Sequence, residues 1–402
     1  MENSGTYLVT GAGSPGTVGL MQGTAVAEQI RHNVMGFWSV VKRFGVSRRE
    51  AETAVLEAER RQPLSRLEMI DGIARGAGLD YKQVLGYNLL RGVLFADECS
   101  VAIAHGKAGK DGRTYFLKNS DKVGGPELSG DGFHQGKEIN VFVYVQPKGL
   151  PAYMGVGAAG TTGLKFGCSA EGIAVGTNIS RTIQLKSKSV SLSTVRAADR
   201  AELARIALEE GSAREAALRV ASEVSASPMG TPGNMEFVDA QSAWFLEGSY
   251  DRMALSEGRD GVFVRTNKFE IFHDINDPED ISSHARFVRA NQVLRQHEGS
   301  IDEQTLIGLS QDHENGPGLN ALCRHHHDSR QETSLSAGVV VIDPAGKDKT
   351  TFHVALGKPC YAWNSPAGHL TARFTESPDA VKSSFYDGSA WKAMYSEDYR
   401  NA

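Results

Sequence analysis

The 402-residue chain reads as an α+β protein in which two antiparallel sheets pack between helical layers. Three observations point there. Segment types run helices, strands, helices, strands, without the β-α-β alternation of a parallel doubly wound sheet. The strand-like stretches are short, and glycine-containing turns such as Lys110-Asp111-Gly112 and Ala170-Glu171-Gly172 separate them. No internal repeat or low-complexity linker marks off a second domain.

The first hundred residues are helical in pattern. Val26, Ile30, Val34, Phe37, Val40 and Val41 recur at helical spacing within 21–44. Residues 48–60 combine strong helix formers with opposite charges and read as an exposed helix. Val84, Leu85, Leu89, Leu90, Val93 and Leu94 form another apolar stripe over 81–95. The texture changes at Asp97-Glu98-Cys99. Strands are expected at 100–104, 114–117, 140–146, 152–156 and 173–177. Helices follow near 193–210 and 213–225, then strands at 235–247 and 261–266. Helices near 284–297 and 302–310 precede the closing strands 337–343 and 350–356.

Hydrophobic residues make up 40% of the chain and charged residues 23%, as in soluble globular proteins. The net charge of −5 and the lack of a long basic run give no electrostatic support to a nucleic-acid or anionic-membrane partner. Cys99, Cys168, Cys323 and Cys360 stand far apart with no C-x-x-C pair, which argues against a disulfide scaffold or a thiolate zinc site and fits a reducing compartment. The start lacks a basic n-region and an apolar h-region, and no apolar run has membrane-spanning length. A soluble, cytoplasmic protein is expected.

Gly11-Ala12-Gly13-Ser14-Pro15-Gly16 satisfies G-x-G-x-x-G, the pattern of a dinucleotide phosphate loop. Such a loop needs a second strand carrying an acid about twenty residues on, and that region reads as helix. The motif is therefore taken as a turn-rich entry into the first helix, and no cofactor is expected.

Cys99 stands where the helical leader meets the first strand. A free cysteine by itself is most often a small buried residue. Downstream blocks lift this one. Asp97-Glu98-Cys99-Ser100 is followed by Asp111–Asp121, which ends Leu117-Lys118-Asn119-Ser120-Asp121. Next come Gly167–Asn178, then Val264-Arg265-Thr266-Asn267 and Ser283-His284-Ala285-Arg286. Leu322-Cys323-Arg324-His325, residues 337–343 and Val354–Cys360 complete the series. In this order the blocks resemble the penicillin acyltransferase (peptidase C45) family and, more distantly, the conjugated bile acid hydrolases, both N-terminal-nucleophile hydrolases.

The resemblance implies a four-layer αββα fold, with a helical leader over 1–98 and the hydrolase core over 99–402. It implies a cut between Glu98 and Cys99, after which Cys99 attacks an amide and carries the acyl group as a thioester. The new α-amine, with an ordinary pKa of about 8, would serve as the thiol's base. By resemblance, Asp121 orients that amine, Asn178 donates to the oxyanion, Asn267 positions amine or oxyanion, and Arg286 supports the nucleophile's electrostatics. Lys118 stands where the bile acid enzymes carry Arg. Glu98 stands where glycine is common at the cut, a departure that bears on self-cleavage; Ser120 and Lys122 replace bulky or aromatic residues, which implies a different substrate pocket. The partners implied are a small-molecule amide, the two associated fragments of the cut chain, and a second copy in a homo-oligomer.

Local readings compete with each role. Asp121 could cap a turn before Gly124-Gly125, Asn178 and Asn267 could end strands, and Arg286 could pair with a surface acid. His325-His326-His327-Asp328 invites a metal, but adjacent histidines point apart on a strand or a helix, so no metal is expected; Cys168, Cys323 and Cys360 are taken as packing residues. Loops 123–136 and 177–188 would border the cleft, with Lys118, Lys122, Arg181 and Lys186 as a cationic rim. Two other readings remain open: an uncut binding protein of the same fold, and a dinucleotide-dependent oxidoreductase.

Overall fold

The computed structural model describes residues 7–95, 97–122, 133, 138–187, 192, 195, 199–316, 318–325, 333–365 and 368–383. Strand β1 (Leu8–Gly13) leads into helices α1 (Pro15–Ala25), α2 (Ala27–Val40), α3 (Arg48–Glu59), α4 (Leu64–Ala77) and α5 (Tyr81–Leu94). Strands β2 (Asp97–Ala104), β3 (Thr114–Lys122), β4 (Asn140–Pro147), β5 (Tyr153–Ala158), β6 (Phe166–Ser169) and β7 (Ala174–Ile179) follow. Helices α6 (Ile183–Ser187), α7 (Arg200–Ala207) and α8 (Ala213–Ala226) precede β8 (Gly233–Val238), β9 (Ala243–Gly248), β10 (Met253–Gly258) and β11 (Val262–Arg265). Helices α9 (Ile281–Gln296) and α10 (Glu303–Ser310) lead to β12 (Thr333–Ile342), β13 (Thr351–Leu356), α11 (Pro359–Ala362), β14 (His369–Arg373) and α12 (Pro378–Ser383).

The strands form two sheets, β1-β4-β5-β6-β7-β8-β9-β10 and β11-β2-β3-β12-β13-β14. Alternation along each strand gives each sheet two apolar faces. Phe142, Met154 and Phe166 of the first sheet meet Val101, Ile103, Phe116 and Val340 of the second in a core between them. The outer face of the first sheet (Val141, Val143, Phe237) packs on helices α2, α4, α5, α7 and α8. The outer face of the second (Ala102, Leu117, Val339) packs on Ala290 and Leu294 of α9 and Leu306 and Leu309 of α10. The order of layers is thus αββα. Residues of the leader share one core with the first sheet.

Local signals set the helix ends. Ser47 and Glu50 form a reciprocal capping box at α3, and Asp280 accepts from the Ser283 amide to cap α9. The structure departs from the sequence reading in several places. Residues 235–247 are a hairpin rather than one strand. Strands β6, β10 and β14 and helix α4 were not expected. The β1–β4 pair is parallel, with Leu8 opposite Phe142, while every other strand pair among the described residues is antiparallel. Most of 188–198, at the start of the helix expected near 193, lies outside the described residues.

The glycine motif spans the turn from β1 into α1, and the glycines that close packing requires lie outside it. Gly11 and Gly13 lie in β1, and Gly16 lies in α1. Helices α1 and α4 cross backbone to backbone. A Cβ at Gly19 would lie 2.0 Å from the Met69 carbonyl oxygen, and one at Gly72 would lie 2.3 Å from that of Gly16. Only glycine admits so close an approach.

Candidate active site

Strands β2 and β3 pair with Cys99 opposite Ser120, Val101 opposite Lys118 and Glu98 opposite Asp121. Successive side chains alternate faces, so Cys99 shares with Val101 and Ile103 the face toward the first sheet. Glu98 and Ser100 share with Ala102 and Ala104 the face toward α9 and α10. The thiol and the preceding carboxylate therefore occupy opposite sides of one strand.

Cys99 is buried. Its amide donates to Asn267 Oδ1 at 3.3 Å, and its carbonyl accepts from Arg286 Nη1 at 2.9 Å. Arg286 also donates to Ser100 Oγ at 2.7 Å and to Asn267 Oδ1 at 2.8 Å. Asn267, just beyond β11, donates through Nδ2 to the Ile179 carbonyl at 2.9 Å, which fixes its amide orientation. Arg286 and Asn267 thus grip the Cys99 backbone; both are fully buried, so Arg286 does not take the surface pairing that a local reading allowed, while Asn267 does follow a strand end.

Across the seam, Lys118 Nζ donates to Asn178 Oδ1 at 3.0 Å and to the Thr177 carbonyl. Asn178 Nδ2 donates to the Arg265 carbonyl at 3.3 Å. Lys118 and Asn178 therefore share the thiol's side of β2, one on each sheet. Asp121 lies on the other side. Ser334 Oγ donates to its Oδ1 at 2.6 Å, and Arg324 Nε stands 3.6 Å from Oδ2. Burial pushes the Asp121 carboxyl above its ordinary value, against the pull of Arg324 and Arg286.

Arg324 and Glu236 were not singled out by the sequence, and Glu98 was named there only as the residue before the cut. Glu98 is buried, with Oε2 accepting from Arg324 Nη1 at 2.6 Å and Oε1 bound by Arg181. Arg324 adds a hydrogen bond to Ser282 Oγ at 2.8 Å. Its block, Leu322-Cys323-Arg324-His325, was visible, but nothing local says that the arginine turns inward. Glu236, on the inner face of β8, has both carboxylate oxygens buried without a hydrogen-bond partner among the described residues. A Cβ at Gly176 would lie 3.0 Å from its Oε2, so the missing side chain at 176 makes room for it. Burial raises the Glu236 pKa to about 7, opposed by Lys118 and Arg265.

A cavity of about 670 Å³ opens beside Glu98, lined by Ile179, Arg181, Leu185, Asp280 and Ser282 among others. A second, of about 600 Å³, lies between α4, α7 and α8, lined by Arg66, Glu202 and Arg205 among others and by none of the candidate site residues. The expected cationic rim is corrected in part. Arg181 and Lys186 border the first cavity, but Lys118 and Lys122 are fully buried, and Lys122 Nζ lies 2.7 Å from Glu138. Of the loop expected to border the cleft, 123–132 and 134–136 lie outside the described residues.

Two sheets thus lie face to face between helical layers, with a buried cysteine on β2 at the seam. Residues 108–358 match the family described as acyl-coenzyme A:6-aminopenicillanic acid acyl-transferase, and the chain belongs to that family. It is thereby an enzyme of the amide hydrolase and acyltransferase kind. The matched span holds Lys118, Asp121, Asn178, Asn267, Arg286 and Arg324; Glu98 and Cys99 precede it. No curated protein matches the chain. Similar solved structures include an N-acylethanolamine-hydrolyzing acid amidase ortholog of Caenorhabditis elegans, at 15% identity and TM-score 0.43, covering 60% of this chain and 92% of that one. Penicillin V acylase from Agrobacterium tumefaciens is 12% identical with TM-score 0.41, covering 70% and 87%. A mutant conjugated bile acid hydrolase from Clostridium perfringens is 11% identical with TM-score 0.43, covering 70% and 94%. Among the described residues, no helix is long and apolar enough to cross a membrane.

Proposed function

We propose that the chain cuts itself between Glu98 and Cys99 and that Cys99 then hydrolyses a small-molecule amide, or transfers its acyl group, through a thioester. The observation that carries this reading is the grip of Asn267 and Arg286 on the Cys99 backbone, on both sides of its α-carbon. In the first step the Cys99 sulfur attacks the Glu98 carbonyl carbon. The C–N bond breaks, the thiol's proton passes to the leaving nitrogen, and Glu98 becomes a thioester with a free Cys99 amine. Water then cleaves the thioester, yielding the Glu98 carboxylate and the Cys99 thiol.

The amine so formed stays within reach of Asn267 Oδ1, its partner in the uncut chain. It accepts the thiol's proton as the sulfur attacks an amide substrate and returns it to the departing amine. Asn178 acts as oxyanion donor. Lys118 holds its Oδ1, which turns Nδ2 outward with a second hydrogen beyond the one given to Arg265. Water or an amine then resolves the thioester, giving hydrolysis or transfer.

Arg181 and Arg324 favour a substrate with an anionic group at the place Glu98 occupies before the cut. The test is intact-mass analysis with an amide-substrate screen. Fragments of 1–98 and 99–402 are expected from the natural chain. A whole, inactive chain is expected from Cys99→Ala. Equal amide hydrolysis by both would end this reading.

A further inference from the structure

Away from the scissile bond, four side chains from three separate segments converge. His313 lies in the turn after α10, Cys323 and His325 flank Arg324, and Cys360 sits in the first turn of α11. One ligand atom from each lies within 4.8 Å of every other. His325 Nε2 is 3.0 Å from Cys360 Sγ and 3.6 Å from Cys323 Sγ, and the His313 and His325 rings meet edge to face at 4.7 Å. In a tetrahedral zinc site, bonds of about 2.3 Å to sulfur and about 2.0 Å to nitrogen set neighbouring ligand atoms roughly 3.3–3.8 Å apart. The cluster needs only small shifts to match.

A second observation points to a ligand. His313 Nε2 is buried and makes no well-formed hydrogen bond among the described residues, although its ring interacts with Cys360. A buried polar atom left this way is costly, and a shared ion would satisfy it. Two sulfurs and two imidazoles are a soft, nitrogen-rich donor set. It suits zinc and not the oxygen-seeking magnesium or calcium.

We propose that His313, Cys323, His325 and Cys360 bind one zinc ion as a closed structural site. On binding, both thiols lose their protons to solvent, and the two thiolates balance the charge of the ion. The ion ties the 312–325 segment to α11. It thereby fixes Arg324, which sits between two ligands and carries the Glu98 carboxylate and neighbours Asp121. The expectation of no metal rested on adjacent histidines diverging at His325-His326-His327-Asp328 and on cysteines too far apart in sequence for a thiolate site; the fold brings Cys323 and Cys360 together. The histidine argument concerns the run itself; His325, its one described member, belongs to the cluster, and 326–328 lie outside the described residues. The inference stands apart from the role given to Cys99.

The test uses the full chain without an affinity tag, purified under reducing conditions, both as the natural sequence and as Cys99→Ala. Metal analysis should find one zinc per chain in both. Cobalt replacement should produce the intense visible absorption of a tetrahedral thiolate site. Cys360→Ser and His313→Ala should each lose the ion, while Cys360→His should keep it, which separates ligation from misfolding. The proposal is overturned if the reduced chain takes up no zinc, if Cys360→Ser holds zinc as tightly as the natural chain, or if freshly isolated protein carries a Cys323–Cys360 disulfide. Loss of self-cleavage in Cys99→Ala leaves the metal count unchanged, so failure of one reading does not mask the other.

Discussion

Glu138 and Glu98 are both buried carboxylates ringed by cations, yet they occupy different kinds of site. Glu138 accepts from Arg91 at 2.5 and 2.6 Å and from the Tyr87 hydroxyl at 2.6 Å, with Lys122 at 2.7 Å and Lys165 at 3.6 Å. All of these partners are buried. Arg91 lies in α5, ahead of the proposed cut, and Lys122 ends β3, beyond it, so the cluster staples leader to core. Glu98 has Arg324 and Arg181 as partners, and the Arg181 side chain is 38% exposed at the cavity. The chemistry of the two clusters is alike. Access decides their use: the sealed one holds the fold together, and the open one sits beside the bond to be cut.

This contrast can be broken by substitution. The largest effect is expected from Glu138→Gln, which strands three buried cations and should cost about 3–5 kcal/mol of stability, read as a lowered denaturation midpoint. The acid limb follows from the same cluster. The three cations hold the Glu138 carboxyl well below its ordinary value despite burial, which opposes them. Its stabilisation is complete above the unfolded pKa and is lost as pH falls below about 4.5 toward the folded value. Urea midpoints against pH should show that loss, and Glu138→Gln should show less of it.

Asn178→Ala should sharpen the contrast from the other side. If Asn178 is the oxyanion donor, kcat falls roughly 10²- to 10³-fold while the thermal midpoint moves little. A fall in stability equal to that of Glu138→Gln would place Asn178 with the structural cluster instead.

Glu236 is another buried carboxylate and has no cation in hydrogen-bond contact among the described residues. Its pKa is raised to about 7, so the folded chain holds a proton that the unfolded chain has already lost. Stability should therefore fall as pH rises from about 4.5 to 7, by about 3 kcal/mol at most, and then level. Glu236→Gln should remove that decline, leaving a chain more stable than the natural one at pH 8. An unchanged pH profile would show that the carboxyl is already paired.

The smallest effect is expected from Glu98→Gln. Arg324 keeps Ser282 and its proximity to Asp121, and Arg181 reaches solvent, so the stability cost should be about 1 kcal/mol. The cut, followed by gel over time, should slow by roughly tenfold as the carboxylate's ion pairs are lost. A midpoint lowered as far as in Glu138→Gln would erase the distinction between the two clusters.

Much of the architecture was legible because it depends on local periodicity. The stripe from Val26 to Val41 and the run Val84–Leu94 announced helices that bury those faces. The β-like segment after Cys99, set off by a glycine-containing turn, announced a strand. Short strands without strong alternation escaped, as in β6, where all four residues are buried and period two disappears. Helix α4 escaped because its apolar residues are diluted by the glycines that let it touch α1.

The site divides the same way. The ordered blocks marked Cys99, Lys118, Asp121, Asn178, Asn267 and Arg286 as candidates. Which of them meet was set by strand register and pleat: Cys99 and Lys118 face one way, Asp121 the other, because a strand alternates its sides at every residue.

By itself the sequence determined the class of layers, the position of the candidate nucleophile and the residue types gathered around it, since those follow from hydrophobic period and from short ordered motifs. Only the tertiary structure decided that Glu98 is held by Arg181 and Arg324, that Glu138 is sealed by Arg91 and Lys122, and that His313 meets Cys360. Those partners are separated by tens to hundreds of residues, and no local preference encodes which distant side chains will share one buried volume.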